Sequence, residues 1–319
     1  MPKLCRSFRV STDANLIMRE SLDYPTERKL MSKPAETFVK KAKRDWPIFI
    51  GLAIVHLGAL GVFVPALFSW SAVAVAIALY AITGMGITLV FHRLLTHRSL
   101  TVPKPIEYAL TIVGVLALQG GPIEWVAQHR AHHANTDRDG DPHDSHRGMP
   151  WAHMEWMFRT NKDRVAPEDR PRWAGDLVKD PFYRFVERYY LLFTIALGFA
   201  LLAVGGWSWV IWGIFARLVF TYHCTWLVNS ASHAVGYQTF RTGDRSTNNW
   251  WVAILTFGEG WHNNHHAFPF SARHGLRWFE YDPTYWTIKV MSWLRLARNV
   301  KLPTREMIER LKLPKTRAA

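Results

Sequence analysis

Two stretches of this chain carry no formal charge and are long enough to cross a lipid bilayer. Residues 47–67 read PIFIGLAIVHLGALGVFVPAL and residues 71–91 read SAVAVAIALYAITGMGITLVF, 21 residues each. At about 1.5 Å of rise per residue, each helix spans roughly the 30 Å of a hydrocarbon core. A third apolar block runs from Tyr189 to about Val228, with one charge, Arg217, and the pair Gly205-Gly206 near its middle. Forty apolar residues with a central turn signal read as a helical hairpin. The expectation is an all-α integral membrane protein with four spans, about 47–67, 71–91, 189–206 and 208–228, in two hairpins. A large buried helical core is the competing reading of the same runs.

The placement of charge orients the spans. The chain has 39 Lys and Arg against 25 Asp and Glu, a net charge of +14. No Lys or Arg lies between Asp45 and His92, and the turn around Gly205 to Trp209 is also uncharged. The basic residues gather in the N-terminal, middle and C-terminal segments, which places both termini in the cytoplasm by the positive-inside rule. The surplus suits anionic lipid headgroups; no nucleic-acid recognition motif accompanies it. Two cysteines, Cys5 and Cys224, cannot build a disulfide scaffold.

The first 45 residues hold no apolar core of a signal peptide and read as a basic arm, 1–45, with a short helix near Lys33 to Trp46. A membrane domain, 46–300, follows, with a cytoplasmic helical cap made of 92–188 and 232–300, and then a basic tail, 301–319. Residues 106–118 are apolar but too short to span, so they lie at the interface or re-enter the bilayer. Asp282-Pro283 opens an aromatic and basic helix expected at the membrane surface.

The fifteen histidines are not scattered. His92 and His97 form HRLLTH at the end of the second span. His129, His132 and His133 form HRAHH, and His262, His265 and His266 form HNNHH. His233 follows the fourth span in NSASH. On a helix, positions i, i+3 and i+4 share a face, so HRAHH and HNNHH each present three imidazoles together. Neutral imidazole is the commonest metal ligand and suits Zn, Cu, Fe and Ni. Eight or nine such ligands are too many for one ion; they fit two ions with four or five nitrogens each.

HRLLTH, HRAHH and HNNHH resemble the three histidine boxes of the membrane fatty-acyl desaturases. The flanks FHRLLTHRS, DGDPHD, WLVNSASH and GEGWHNNHHAFP are similar to the delta-9 branch, which includes stearoyl-CoA and bacterial acyl-lipid desaturases. The resemblance covers about residues 45 to 300. It implies two non-haem irons held by His92, His97, His129, His132, His133, His233, His262, His265 and His266, with Asn229 reaching one metal through water. It implies that O2 and two external electrons convert a saturated acyl chain, carried on CoA or a glycerolipid, to a cis-delta-9 alkene. It also places the end of the substrate tunnel on the second span, at Ala76 and Tyr80. Asp137 and Glu259 lie near the boxes and can orient imidazole N–H groups, or can be surface carboxylates. His143 matches a family feature without counting as a ligand. His223 reads as a satisfied core residue; His56, His146, His153 and His274 receive no role.

The electrons must come from a separate ferredoxin, rubredoxin or cytochrome b5. The chain has no HPGG haem segment, no cysteine set for an iron–sulfur cluster and no glycine-rich dinucleotide fingerprint. Three rival readings use the same histidines. A di-iron hydroxylase shares the boxes but differs in spacing and flanks. A metal transporter should place its ligands along a path within the spans. A zinc hydrolase needs three or four ligands and an open position.

Overall fold

In the computed structural model, which describes residues 43–160 and 164–314, the chain is helical apart from one antiparallel pair of two-residue strands, Lys43–Arg44 with Arg159–Thr160. The expected arm and its helix near Lys33 lie outside the described residues up to residue 42, as do the last five residues of the tail.

Helix α1 (Trp46–Ala59) starts where Asp45 accepts a hydrogen bond from the Ile48 N–H and Pro47 occupies the first turn. It tightens into a 3₁₀ turn at Leu60–Phe63, and the chain reverses through Pro65–Leu67. Ser69 Oγ accepts from Ala72 N–H at 3.2 Å and caps α2 (Trp70–Met85). This helix runs on without interruption as a wider π-helix, Gly86–Thr96. The first span therefore ends four residues short of the expected Leu67, and the second runs five residues past Phe91 and carries His92 in its last turns.

These helices turn their apolar side chains outward: Leu57 is 67% and Phe63 79% exposed. A water-soluble core does the reverse, since each such side chain left in water forfeits about 1.5–3 kcal/mol. That excludes the buried-core reading. Among the described residues, the helices long and apolar enough to cross a membrane are Trp46–Phe63, Trp70–Thr96 and Pro181–His233.

The last of these is not straight. It comprises α7 (Pro181–Val210), a π-helical stretch Ile211–Ala216 and α8 (Arg217–Ser230). Gly206 inside it has φ 66° and ψ −165°, a conformation open to glycine alone. Twelve residues of straight helix would separate residues 201 and 213 by ~18 Å. Instead a methyl group placed on Gly213 would lie 2.9 Å from Leu201 Cδ1. The chain folds back at Gly206. Beside that reversal, Ser208 Oγ and Trp212 Nε1 donate to Leu67 O at 2.9 and 3.1 Å, joining the two turns.

The apolar segment that was too short to span forms α3 (Lys104–Val115). It lies so close to the π-helical end of the second span that a methyl group on Gly86 would sit 2.6 Å from Gly114 Cα. Just past the C-terminus of α3, the Leu116 and Leu118 carbonyls accept from Arg217 Nη1 at 2.7 Å and Tyr222 OH at 3.0 Å. Arg217, the charge in the second apolar block, is buried, with a helix end as its electrostatic partner.

The remaining α-helices among the described residues are α4 (Pro122–Asn135), α5 (Met149–His153), α6 (Arg170–Val178), α9 (Trp250–Leu255), α10 (His262–Ala267), α11 (Pro283–Trp293) and α12 (Arg305–Leu311). Arg130 on α4 ties three of these pieces together. It donates to Leu95 O at 2.9 Å, Thr96 O at 3.1 Å, Trp173 O at 2.9 Å and Asp176 at 2.8 Å. Asp282 caps α11 as its Asp-Pro start predicts, and Trp286 and Trp293 on that helix are exposed.

Candidate metal centre

The nine histidines of the boxes and NSASH come together as two groups. His92, His97, His129, His133 and His265 form one; His132, His233, His262 and His266 form the other, with one ring nitrogen from each residue within 4.8 Å of the rest of its group. The division corrects the expectation that each short motif presents three imidazoles to one place. On α4, His129 and His133 face the first group and His132 the second; on α10, His262 and His266 face the second group and His265 the first. Positions i and i+4 lie about 40° apart around a helix and stay together, while i+3 falls on the other side of the first residue.

The spacing of the nitrogens tests whether metal fits. His92 Nε2 to His265 Nε2 is 3.0 Å, His265 to His133 2.9 Å, and His133 to His129 3.1 Å. In the second group His262 Nε2 lies 3.0 Å from both His233 and His266 Nε2. An imidazole nitrogen sits about 2.1 Å from an ion such as zinc, so two at right angles lie ~3.0 Å apart and two at the tetrahedral angle ~3.4 Å. The observed edges are close enough for one ion to serve both nitrogens of each pair, and the five nitrogens of the first group exceed a tetrahedron. The five nitrogens of the first group outnumber the three or four ligands of a zinc hydrolase.

The protons agree. Four of the rings bring Nδ1 to a carboxylate: His92 to Glu259, His132 to Asp141 at 2.9 Å, His233 to Asp137 at 3.1 Å and His266 to Asp244 at 3.0 Å. A neutral ring that donates through Nδ1 has a bare Nε2. The Nε2 atoms of His233 and His266 both face His262 Nε2, which has at most one hydrogen to offer. His97 Nε2 and His132 Nε2 are buried with no hydrogen bond at all among the described residues. Converging lone pairs of this kind are what a cation satisfies.

Burial, then neighbouring imidazoles, pushes His97, His129, His133, His262, His265 and His266 well below the ordinary histidine value, so these rings are neutral and ready to ligate. Burial also acts on His132, but the Asp141 carboxylate outweighs it and raises that ring. Burial opposes ionisation of Asp137, Asp141 and Glu259; their histidine partners win and hold all three below the usual carboxylate range. Glu259 is further fixed by Arg93, whose Nη2 lies 3.2 Å away.

The family model for fatty acid desaturases matches residues 68–292. The chain belongs to the fatty acid desaturase family. Over 255 residues it is 56% identical to the sn-1 stearoyl-lipid 9-desaturase of Anabaena variabilis, covering 80% of this chain and 92% of that one. It is 52% identical to the sn-1 stearoyl-lipid 9-desaturase of Synechocystis sp., covering 81% and 80%. It is 48% identical to the palmitoyl-monogalactosyldiacylglycerol delta-7 desaturase of Arabidopsis thaliana, covering 84% and 73%. The chain is a membrane oxidoreductase that desaturates fatty-acyl chains, and the transporter reading falls.

The desaturase has a small cavity of about 40 Å³ that touches the site through Glu259, the partner of His92. Its lining includes Glu259, Thr88, Tyr80, Gly84, Cys224, Val228 and Phe257. Tyr80 donates to Leu255 O and packs edge-on against Phe220, ring centres 4.8 Å apart. Ala76, half-buried one turn earlier on α2, does not line it. Asn229 is half-buried in the last turn of α8, four residues before His233, and its side chain makes no hydrogen bond among the described residues.

Sequence reasoning missed Asp141 and Asp244, the carboxylates on His132 and His266. It also gave no role to His274. This ring is fully buried, 4.5 Å from the His265 ring and 3.5 Å from Glu259. Asp141 and Asp244 both sit close to boxes in sequence or in a DR-type loop, but only the folded chain brings them to a ring nitrogen. His143 packs 4.2 Å from the His132 ring and lies outside both groups, as expected. His223 bridges His56 at 3.3 Å and His153 at 3.0 Å, so it is satisfied without touching either group. Exposed His146 pairs with Asp144.

Proposed function

We propose that this desaturase inserts a cis double bond at delta-9 of a saturated acyl chain carried on a glycerolipid. The observation that carries the reading is the division of nine imidazoles into groups of five and four, with a cavity beside them that Glu259 lines. The lipid carrier and the delta-9 position follow the printed activities of the two relatives at 56% and 52% identity.

Four spans in two hairpins carry the site. The reversal at Gly206 supports the third and fourth, and the charge bias orients both termini and the helical cap toward the cytoplasm. The domain bounds are the arm 1–45, the membrane domain 46–300 and the tail 301–319. Reporter fusions at each end and at Gly206 test this: cytoplasmic activity at both termini and external activity at Gly206 are expected.

His92, His97, His129, His133 and His265 would hold one iron, and His132, His233, His262 and His266 the other, with Asn229 placing a water beside the second group. The iron pair, with O2 and two external electrons, supplies the oxidising power that an unactivated methylene requires. The rest is done by the chain's own residues. Asp137, Asp141, Asp244 and Glu259 hold four rings in the tautomer whose Nε2 points inward. The cavity excludes water and fixes one C–C pair beside the site, because an acyl chain offers no polar handle. Tyr80 lines the cavity and limits the length beyond the reacting carbons. As resolved, the cavity is too small for an acyl chain, so binding opens it.

The test is expression in a bacterium without desaturases, together with a ferredoxin and its reductase, and analysis of total fatty acids by gas chromatography–mass spectrometry. New cis-9 monoenes, appearing first in the glycerolipid pool and absent with His132→Ala, are expected. Hydroxylated chains would replace the reading with the hydroxylase; monoenes appearing first in the CoA pool would replace the carrier. Tyr80→Ala is expected to shift the products toward longer chains; an unchanged chain-length profile overturns its role.

A further inference from the structure

Desaturation balances as RCH2CH2R′ + O2 + 2 H⁺ + 2 e⁻ → RCH=CHR′ + 2 H2O. The electrons must enter from a protein outside the chain, and the inference here rests on the desaturase reading above. Most arginines around the histidines are already committed. Arg93 pairs with Glu259 and Asp282, Arg98 and Arg130 with Asp176, and Arg170 with Glu124 and Glu187. Three are not. Arg138, Arg241 and Arg245 are exposed, and their side chains have no hydrogen-bond or ion-pair partner among the described residues.

These three stand on two loops that meet over the second histidine group. Arg138 follows Asp137 directly. The Arg245 N–H donates to Asp137 Oδ2 at 2.7 Å, which pins loop 241–245 to it. The same Oδ2 takes the His233 Nδ1–H at 3.1 Å. Asp244, between Arg241 and Arg245, takes the Nδ1–H of His266 at 3.0 Å. The Arg245 backbone is thus two hydrogen bonds from a ligand ring. One exposed carboxylate, Asp139, lies in the same stretch. Asp137, buried, and Asp244, half-buried, are each paired with a histidine of the second group.

We propose that Arg138, Arg241 and Arg245 form the docking surface for an acidic one-electron carrier protein, and that electrons enter through the second histidine group by way of Asp137–His233 and Asp244–His266. Unpaired exposed charge of one sign steers and orients a partner of the other sign without burying a costly ion pair. On helix α11 the exposed Lys289 stands among exposed Trp286, Val290 and Trp293, so that face mixes apolar surface with its charge, unlike the arginine loops.

The test uses the full-length enzyme in lipid vesicles and a reduced plant-type [2Fe–2S] ferredoxin as the probe. Arg138→Glu and Arg241→Glu are expected to raise KM for ferredoxin about tenfold each and to flatten the salt dependence of kcat/KM. Desaturation driven by dithionite should be unchanged in both variants. Direct binding of oxidised ferredoxin to the purified protein, read by interferometry, should weaken in parallel whatever the iron content. Unchanged KM and binding overturn the proposal, as does equal loss with ferredoxin and dithionite, which would assign these residues to structure. Wild type that makes monoene with dithionite but shows no salt-dependent ferredoxin binding sinks the docking surface and leaves the desaturase reading standing. Wild type that makes none with either reductant sinks both.

Discussion

At the scale of single residues, the metal centre depends on a second set of side chains as much as on the histidines. Asp137 and Asp244 each take an Nδ1–H from a ring whose other nitrogen faces the second group. Asp→Asn keeps the shape but offers the ring an ambiguous partner, so the tautomer is no longer enforced. Losing such a support costs about 10–100-fold in metal affinity. Asp244→Asn is therefore expected to lower iron occupancy at one of two sites while leaving the other filled. Iron per chain, measured against a titrated chelator, should fall toward half; full retention would show that Asp244 does not orient His266. His274 carries a different kind of information. Both its nitrogens are buried without hydrogen bonds, although Nδ1 comes within 3.5 Å of Glu259. That carboxylate already serves His92 and Arg93, so His274 packs against the site more than it bonds to it.

At the scale of elements, two joints decide whether the histidines meet. One is the reversal at Gly206. Nothing lies within 4 Å of a methyl group placed there, so Gly206→Ala loses no contact. Its cost is backbone strain alone, about 1–3 kcal/mol for a residue forced into that region. A lower midpoint of thermal aggregation in detergent is expected, and an unchanged midpoint would mean that the turn has another conformation. The other joint is Asp176, which holds Arg130 of α4 at 2.8 Å and Arg98 beyond the second span at 2.7 Å. Burial opposes its ionisation, but the two guanidinium groups win and hold its pKa down to about 2 from 3.8. A carboxylate depressed on folding stabilises above its unfolded value and loses that contribution as pH falls through its folded value. The difference in thermal midpoint between wild type and Asp176→Asn, measured on metal-free protein, should thus be full above pH 3.8 and close as the pH approaches 2. A gap independent of pH would assign the effect to packing.

At the scale of the whole molecule, the histidine groups join parts of the chain that are far apart in sequence. The first draws on the second span, α4 and α10; the second draws on α4, the end of α8 and α10. Without cations these joints set imidazoles edge to edge with their ring nitrogens converging. Metal binding is therefore folding energy. A ligand present at a hundredfold excess over its Kd adds about 2.7 kcal/mol to the state that binds it. Stripping the enzyme with a chelator should lower its thermal midpoint, and adding back ferrous iron should restore it. A midpoint indifferent to metal would show that the cap is held by its arginine clamps alone.

Much of this could be read before the fold was known. The uncharged runs at 47–67 and 71–91 determined that the chain spans lipid, because burying charge in hydrocarbon is prohibitive and composition alone records its absence. The three histidine boxes determined the family, and the nine imidazoles singled out with them are the ones that the fold gathers into two groups. Which ion each imidazole serves was not legible: it depends on how α4 and α10 are rotated toward each other, and packing decides that. The same holds for Asp141 and Asp244, which look like any loop carboxylate until the fold brings them to His132 and His266. The exact ends of the spans moved because Ser69 capping and the π-helical continuation to Thr96 are local geometry that hydropathy does not encode. Arg217 reads in the sequence as a lone charge in an apolar block, and only the tertiary structure supplies the carbonyl beyond α3 that makes its burial tolerable.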